Sequence, residues 1–118
     1  VEKSVAGDVV VVLFPFSDLT GSKRRPALVV ASLPGNDLIL CQITSQVRAD
    51  VFSIPIGDAD FSNGSLSLPS LVRCGKIFTA DGRIVERRVG KLRNAVLGKV
   101  VSTIVQLIGK DVTKPGLP

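Results

Sequence analysis

The sequence predicts a mainly β fold, a small, strongly curved barrel with one helix packed on it at the C-terminal end. Short apolar, β-branched runs recur from Asp8 to Val89 and are separated by turns rich in Gly, Pro, Asn, Asp and Ser. Helical spacing of apolar residues begins only after Asn94. At 118 residues the chain has room for one domain, so these runs must share one core.

The first strand is expected over residues 8–16, where Val9, Val10, Val11 and Val12 follow one another. A continuous run of this kind suits a strand buried on both faces or a barrel stave. Residues 17–24, SDLTGSKR, read as a loop with Gly21 at its tight position. Pro26 lacks a backbone donor and is expected to open the second strand or sit at a bulge, with the strand running to about Ser32. Pro34-Gly35-Asn36-Asp37 is a turn. The third strand is Leu38–Thr44, followed by polar residues to Asp50 and a short strand near Val51–Ile56. Residues 57–65, GDADFSNGS, read as a loop. Leu66, Leu68, Leu71 and Val72 lead into a strand through Arg73–Phe78, and Asp81-Gly82 is a hairpin-type turn with Ile84–Val89 as the returning strand.

From Asn94, the positions Val96, Leu97, Val100, Val101, Ile104, Val105 and Ile108 fall at three- and four-residue spacing. Asn94 is the expected N-cap and Gly109 the stop. The stripe is broad, so the helix should lie flat on the sheet. The tail 113–118 is expected to fray. No repeat or linker interrupts the chain, which reads as a single domain over 1–118 with its core at about 7–109.

Composition narrows the function. Apolar residues make up 45% of the chain, which fits a globule and leaves apolar surface for a partner to cover. The formal net charge is +5, which favours an anionic partner. The charge is uneven, with a Lys23-Arg24-Arg25 cluster and a second basic stretch from Arg73 to Lys99. The two cysteines, Cys41 and Cys74, lie in apolar surroundings and are expected as buried reduced thiols. There is no histidine, which removes His-based acid/base pairs and most zinc patterns. The Asp58/Asp60 pair lies in turn-forming sequence and makes a poor metal site. No apolar run reaches the roughly 18 residues of a membrane span, and VEKSVAGD lacks the layout of a signal peptide. The expectation is a cytoplasmic protein with no membrane association.

Two side chains could act together. Arg25 offers a planar fork of donors that matches phosphate oxygens in pairs, and Pro26 restricts its backbone. Thr44 and Ser45 bring small hydroxyls to a strand end, where they could donate to phosphate or serve only the turn. The second and third strands are joined by a short turn and should form a hairpin, so Arg25 and Thr44 would share its open end. Phe16 borders the basic loop and could either stack on a base or join the core. Core roles are expected for Phe14 and Phe78.

GDVVVVLFPFSDLTGSKRRPALVV, CQITSQ, SLVRCGKIFT and VGKL together resemble the MazF/PemK family of toxin endoribonucleases, its PemK-like branch in particular. The resemblance implies an SH3-like barrel that forms a homodimer and cuts single-stranded RNA in a groove across the dimer interface, without metal or cofactor. The partner it implies is a cognate antitoxin with an acidic C-terminal segment. Arg25 falls on the family's arginine before proline, and Thr44 on its hydroxyl at the third strand's end; these are the family's catalytic pair. RNA contacts are expected from Phe16, Lys23 and Arg24 on one side. On the other they are expected from Ser45, Gln46, Arg48 and Arg73. Many members carry an acidic residue near the Arg-Pro pair, whereas this chain has Lys23 and Arg24 there, a departure that bears on the RNA sequence recognised. The implied reaction is attack of the RNA 2′-hydroxyl on the adjacent phosphorus, leaving 2′,3′-cyclic phosphate and 5′-hydroxyl ends. Rival readings are a gyrase-binding toxin of the CcdB type on the same barrel and a non-catalytic RNA-binding barrel. The absence of Trp weighs against the CcdB type.

Overall fold

Val9, Val10 and Val12 are fully buried because the first strand is packed on both faces. Val9 belongs to a core with Leu28, Cys41, Ile43, Val72 and Val100, whereas Val10 and Val12 belong to a second core with Ala27, Val29, Leu38 and Leu40. In the computed structural model the described residues are 3–15, 22–46 and 50–112. The strands are β1 (Asp8–Pro15), β2 (Ser22–Ser32), β3 (Asp37–Thr44), β4 (Ser53–Ile56), β5 (Phe61–Gly64), β6 (Ser70–Asp81) and β7 (Val85–Leu92). They form one curled antiparallel sheet, a half-barrel, in the order β4-β6-β3-β2-β1-β7-β5. The helix α1 (Asn94–Gly109) covers the first core, with Val100 fully buried and Val96, Leu97 and Ile104 packed against it.

The mainly β class and the C-terminal helix agree with the expectation; several local details do not. Ser22, Lys23 and Arg24 are strand rather than loop, so β2 begins four residues before Pro26. Pro26 pairs with Val11 of β1, while the ladder with β3 begins only at Ala27. The proline therefore sits where one side of β2 is an edge, the place where a missing N–H is tolerated.

Asp81-Gly82 does not turn a hairpin. A 3-10 turn at Gly82–Ile84, with the Asp81 carboxylate accepting from the Arg83 N–H, carries the chain to the far side of the sheet. There β7 pairs with β1 and β5, not with β6. Residues 57–65 are not all loop either: Phe61 is 5% exposed and begins β5. That strand has turn-like composition, and it exists because two glycines let the backbones approach. Gly64 has φ +68, and a Cβ there would overlap the Val89 carbonyl. At Gly90 a Cβ would lie 2.7 Å from the Asn63 carbonyl oxygen. Asn94 is the first residue of α1, not its N-cap; the cap position is Arg93, without a side-chain cap bond. Gly109 is the last helical residue. The apolar stripe is wider than the core beneath it, leaving Val105 and Ile108 about two-thirds exposed, at 65% and 66%. Phe78 packs on the second core as expected; Phe52 packs on the first. The side chain of Phe14 and the tail 113–118 lie outside the described residues.

Candidate functional site

The face that forms the second core changes character along β3. Leu38 and Leu40 are buried on it, and the next two residues of the same parity are Gln42 and Thr44. Ala27 pairs with Gln42, and two residues further out on each strand come Arg25 and Thr44. Val12 pairs with Arg25, which puts Arg25 on the same face as Val10, Val12 and Ala27. Thr44 pairs with Leu71, and Leu71 with Pro55. Two paired runs therefore reach the open end of the hairpin, Val12–Arg25 on one side and Thr44–Leu71–Pro55 on the other, with Arg25 and Thr44 each two residues beyond the last β2–β3 pair. Arg73 lies two residues along β6 from Leu71, opposite Ser53, and on this face too. Val72 and Cys74 on either side of it point into the first core. Register thus puts Arg25 and Thr44 at one end of the same face, and Arg73, expected from the family resemblance, lies on that face too.

The surroundings of these side chains differ. Arg25 is half-buried, and among the described residues no carboxylate lies within ion-pair distance of it. Lys23 is exposed. Arg24 points to the opposite face, where its Nε donates to Glu86 Oε1 at 2.6 Å. Thr44 Oγ1 accepts the Gln46 N–H at 3.1 Å. This is the turn chemistry expected of a threonine there, and it leaves the hydroxyl proton free to donate elsewhere, since a hydroxyl can accept and donate at once. Ser45 and Gln46 are exposed beside it. Phe16 and Arg48 lie outside the described residues.

Arg73 is largely buried, with 16% of its side chain exposed. Its Nε is 3.7 Å from Asp50 Oδ2 and has no hydrogen-bond partner. Asp50 is held firmly: Oδ1 accepts the Phe52 N–H at 3.0 Å, and Oδ2 accepts the Ser53 hydroxyl at 2.9 Å. Those two hydrogen bonds, with Arg73 adding to them, hold the Asp50 carboxyl below its ordinary range, so it is ionised at neutral pH. Sequence reasoning missed Asp50 and Glu86. The only local signal was polarity, which solvated surface residues share.

The remaining reactive groups are committed elsewhere. Cys41 and Cys74 are buried free thiols, pushed up to about 12 and about 11 chiefly by burial. Neither supplies a thiolate nucleophile at neutral pH. Asp60 accepts the Gly57 N–H at 2.8 Å. Among the described residues no group of three or more His, Cys, Asp or Glu side chains is placed to hold a metal ion. Asp8 is 3% exposed and accepts the Val5 N–H, with Arg88 at 3.4 Å and Lys91 at 3.9 Å countering its charge. No helix among the described residues is long and apolar enough to cross a membrane.

Residues 6–108 match the family model of the PemK-like, MazF-like toxins of type II toxin-antitoxin systems. The chain belongs to this toxin family. Solved structures agree on the fold. A MazE–MazF complex from Deinococcus radiodurans is similar with TM-score 0.70 and 20% identity, covering 92% of this toxin and 98% of that chain. An endoribonuclease in complex with its cognate antitoxin from a mycobacterial species gives TM-score 0.72 at 16% identity, covering 90% and 95%. The Mycobacterium tuberculosis toxin MazF-mt6 gives 0.58 at 22% identity, covering 86% and 93%. No curated protein sequence matches.

Proposed function

We propose that this toxin is a metal-independent, sequence-specific endoribonuclease that cuts single-stranded RNA, mRNA above all, and so inhibits translation and growth. The observation that carries the reading is that Arg25, with no countercharge among the described residues, and Thr44 each lie two residues beyond the last β2–β3 pair, at the same end of the hairpin and on the same face. A guanidinium without a carboxylate partner is suited to an anion from outside the chain. The solved complexes of MazF with MazE support an antitoxin as the partner, and this reading expects its acidic C-terminal segment to cover the same site. A cytoplasmic homodimer is the assembly this reading expects.

The reaction needs only the RNA and these side chains. The 2′-oxygen forms a bond to phosphorus as its proton leaves to solvent. The bond from phosphorus to the 5′-oxygen then breaks, and that oxygen takes up a proton. The products are a 2′,3′-cyclic phosphate and a 5′-hydroxyl. Arg25 neutralises the charge that builds on the phosphorane oxygens, and Thr44 donates a hydrogen bond to them. A protonated guanidinium has no lone pair to act as general base, so Arg25 serves as electrostatic partner and as acid toward the more basic leaving oxygen, regaining its proton from solvent. Lys23, Ser45, Gln46 and Arg73, with Phe16 and Arg48, extend the RNA contact around this pair.

Incubation of a long single-stranded RNA in EDTA with wild type and Arg25→Ala, with both new ends mapped, tests the proposal. Discrete cuts bearing cyclic-phosphate and 5′-hydroxyl ends, absent with Arg25→Ala, are expected. A single 2′-deoxy substitution at the cut position should stop cleavage. Equal cutting of all-DNA substrate would refute the mechanism. A folded wild-type protein that cuts nothing would redirect attention to gyrase binding or to RNA binding without catalysis.

A further inference from the structure

The unusual feature of this site is an arginine whose partner is tied down more tightly than the arginine itself. Asp50 is anchored by the Phe52 N–H and the Ser53 hydroxyl, and the Ser53 N–H returns to the Asp50 carbonyl at 3.2 Å. The same turn is stapled to β6, because the Cys74 N–H donates to the Phe52 carbonyl at 3.1 Å and Ser53 pairs with Arg73. The carboxylate is thereby fixed relative to the backbone that carries Arg73. Yet it reaches only one edge of the guanidinium, Nε, at 3.7 Å, slightly beyond a hydrogen bond. Asp50 is the one carboxylate within ion-pair distance of that buried N–H among the described residues, so it sets where this edge of the guanidinium lies. Arg73 also lies on the face of Arg25 and Thr44, one row away across β3.

We propose that Asp50 is a positioning residue for Arg73: it holds the guanidinium by the Nε edge so that the remaining donors face a phosphate oxygen of single-stranded RNA next to the one taken by Arg25 and Thr44. The inference rests on the ribonuclease reading, in which Arg73 already contacts the RNA, and adds to it the residue that aims Arg73. Arg73 touches the substrate; Asp50 acts only through Arg73.

The electrostatic sign makes the idea testable. Removing a negative charge beside an RNA site should tighten binding if Asp50 only caps its turn. If Asp50 aims Arg73, the same removal should weaken it. The probe is a single-stranded RNA with one 2′-deoxy residue at the mapped cut position, which binds but cannot react. Its affinity is measured over a range of salt for wild type, Asp50→Asn, Arg73→Ala and the double variant. Asp50→Asn keeps the oxygen that accepts from Phe52, and Ser53→Ala loosens the carboxylate without changing charge, should Asp50→Asn fail to fold. Weakening of about five- to tenfold is expected for Asp50→Asn, with no further loss in the double variant beyond Arg73→Ala. The slope of log affinity against log salt should fall by about 0.7 in both single variants, the signature of one lost phosphate contact. Unchanged or tighter binding by Asp50→Asn, with Arg73→Ala weakened, would overturn the proposal, as would losses that add. The Arg73 Nε–H resonance of the free protein should shift in Asp50→Asn; an unmoved resonance also overturns it. A wild type that fails to bind the RNA would remove the phosphate assignment together with the ribonuclease reading, and the resonance, read without RNA, still decides whether Asp50 holds Arg73.

Discussion

Arg24 and Arg25 are neighbours on β2 and chemically identical, yet the sheet gives them opposite surroundings. Arg24 lies across β1 from Glu86 and pairs with it at 2.6 Å. Arg25 points to the other face, beside Thr44, without a carboxylate among the described residues. The difference follows from strand geometry, because successive side chains alternate between faces and a shift of one residue exchanges their environments. The same contrast holds more widely. Arg88 and Lys91 of β7 counter the buried Asp8, whereas among the described residues Arg25 has no carboxylate within ion-pair distance. A basic cluster in a sequence is therefore a mixture, and pleat parity sorts its members into charge-balanced supports and cations without an acidic partner among the described residues.

Substitution of the two arginines probes that contrast most directly. Arg25→Ala should lower RNA cleavage by on the order of 10²–10³ or more while leaving thermal unfolding nearly unchanged, measured as single-turnover rates beside a melting curve. Comparable losses in Arg24→Ala would erase the distinction between the two faces. Thr44→Ala should cost about 10² in rate, and Thr44→Ser should recover most of it, because the serine hydroxyl can still accept from Gln46 and donate to phosphate. Failure of serine to rescue would show that the threonine acts by packing. Glu86→Gln, which unpairs Arg24 on the far face, should change unfolding free energy by less than about 1 kcal/mol in denaturant titration and leave the cleavage rate within a fewfold of wild type, since Arg24 is mostly exposed.

The smallest effect concerns acid stability. The Asp50 carboxyl lies below its ordinary value of 3.8, with the Phe52 and Ser53 hydrogen bonds as leading causes. The unfolded chain therefore binds the proton more readily than the folded one. Asp50 contributes stability that is fully present above its unfolded pKa and is lost as pH falls through the lower folded value. Asp50→Asn should thus differ from wild type more at pH 7 than at pH 3 when unfolding is followed by circular dichroism. An equal difference at both values would mean that the charge of Asp50 has no part in holding its turn.

Much of the architecture is legible in local patterns. The valine run, the Pro34–Asp37 turn and the three- and four-residue spacing after Asn94 each reflect a local requirement of burial or backbone direction. The candidate pair was legible for a similar reason: the turn between β2 and β3 is short, so residues at the outer ends of its strands must meet. The alternation Leu38, Leu40, Gln42, Thr44 even records where a buried face becomes a polar one. Other features were misread because turn residues carry two messages. Gly64, opposite Gly90, permits close strand packing in a stretch that sequence alone renders as loop, and Asp81-Gly82 starts a crossing that looks like a hairpin.

What the sequence determined by itself is therefore the alphabet of elements, their order, and the hairpin that brings Arg25 to Thr44. Tertiary structure alone decided that β7 pairs with β1, that Glu86 takes Arg24, and that Asp50 reaches Arg73 from the turn before β4. Burial, turn formation and helical spacing are written within a few residues of where they act. Partners drawn from distant strands depend on how far the sheet curls, a property of all the strands together that no short stretch of sequence contains.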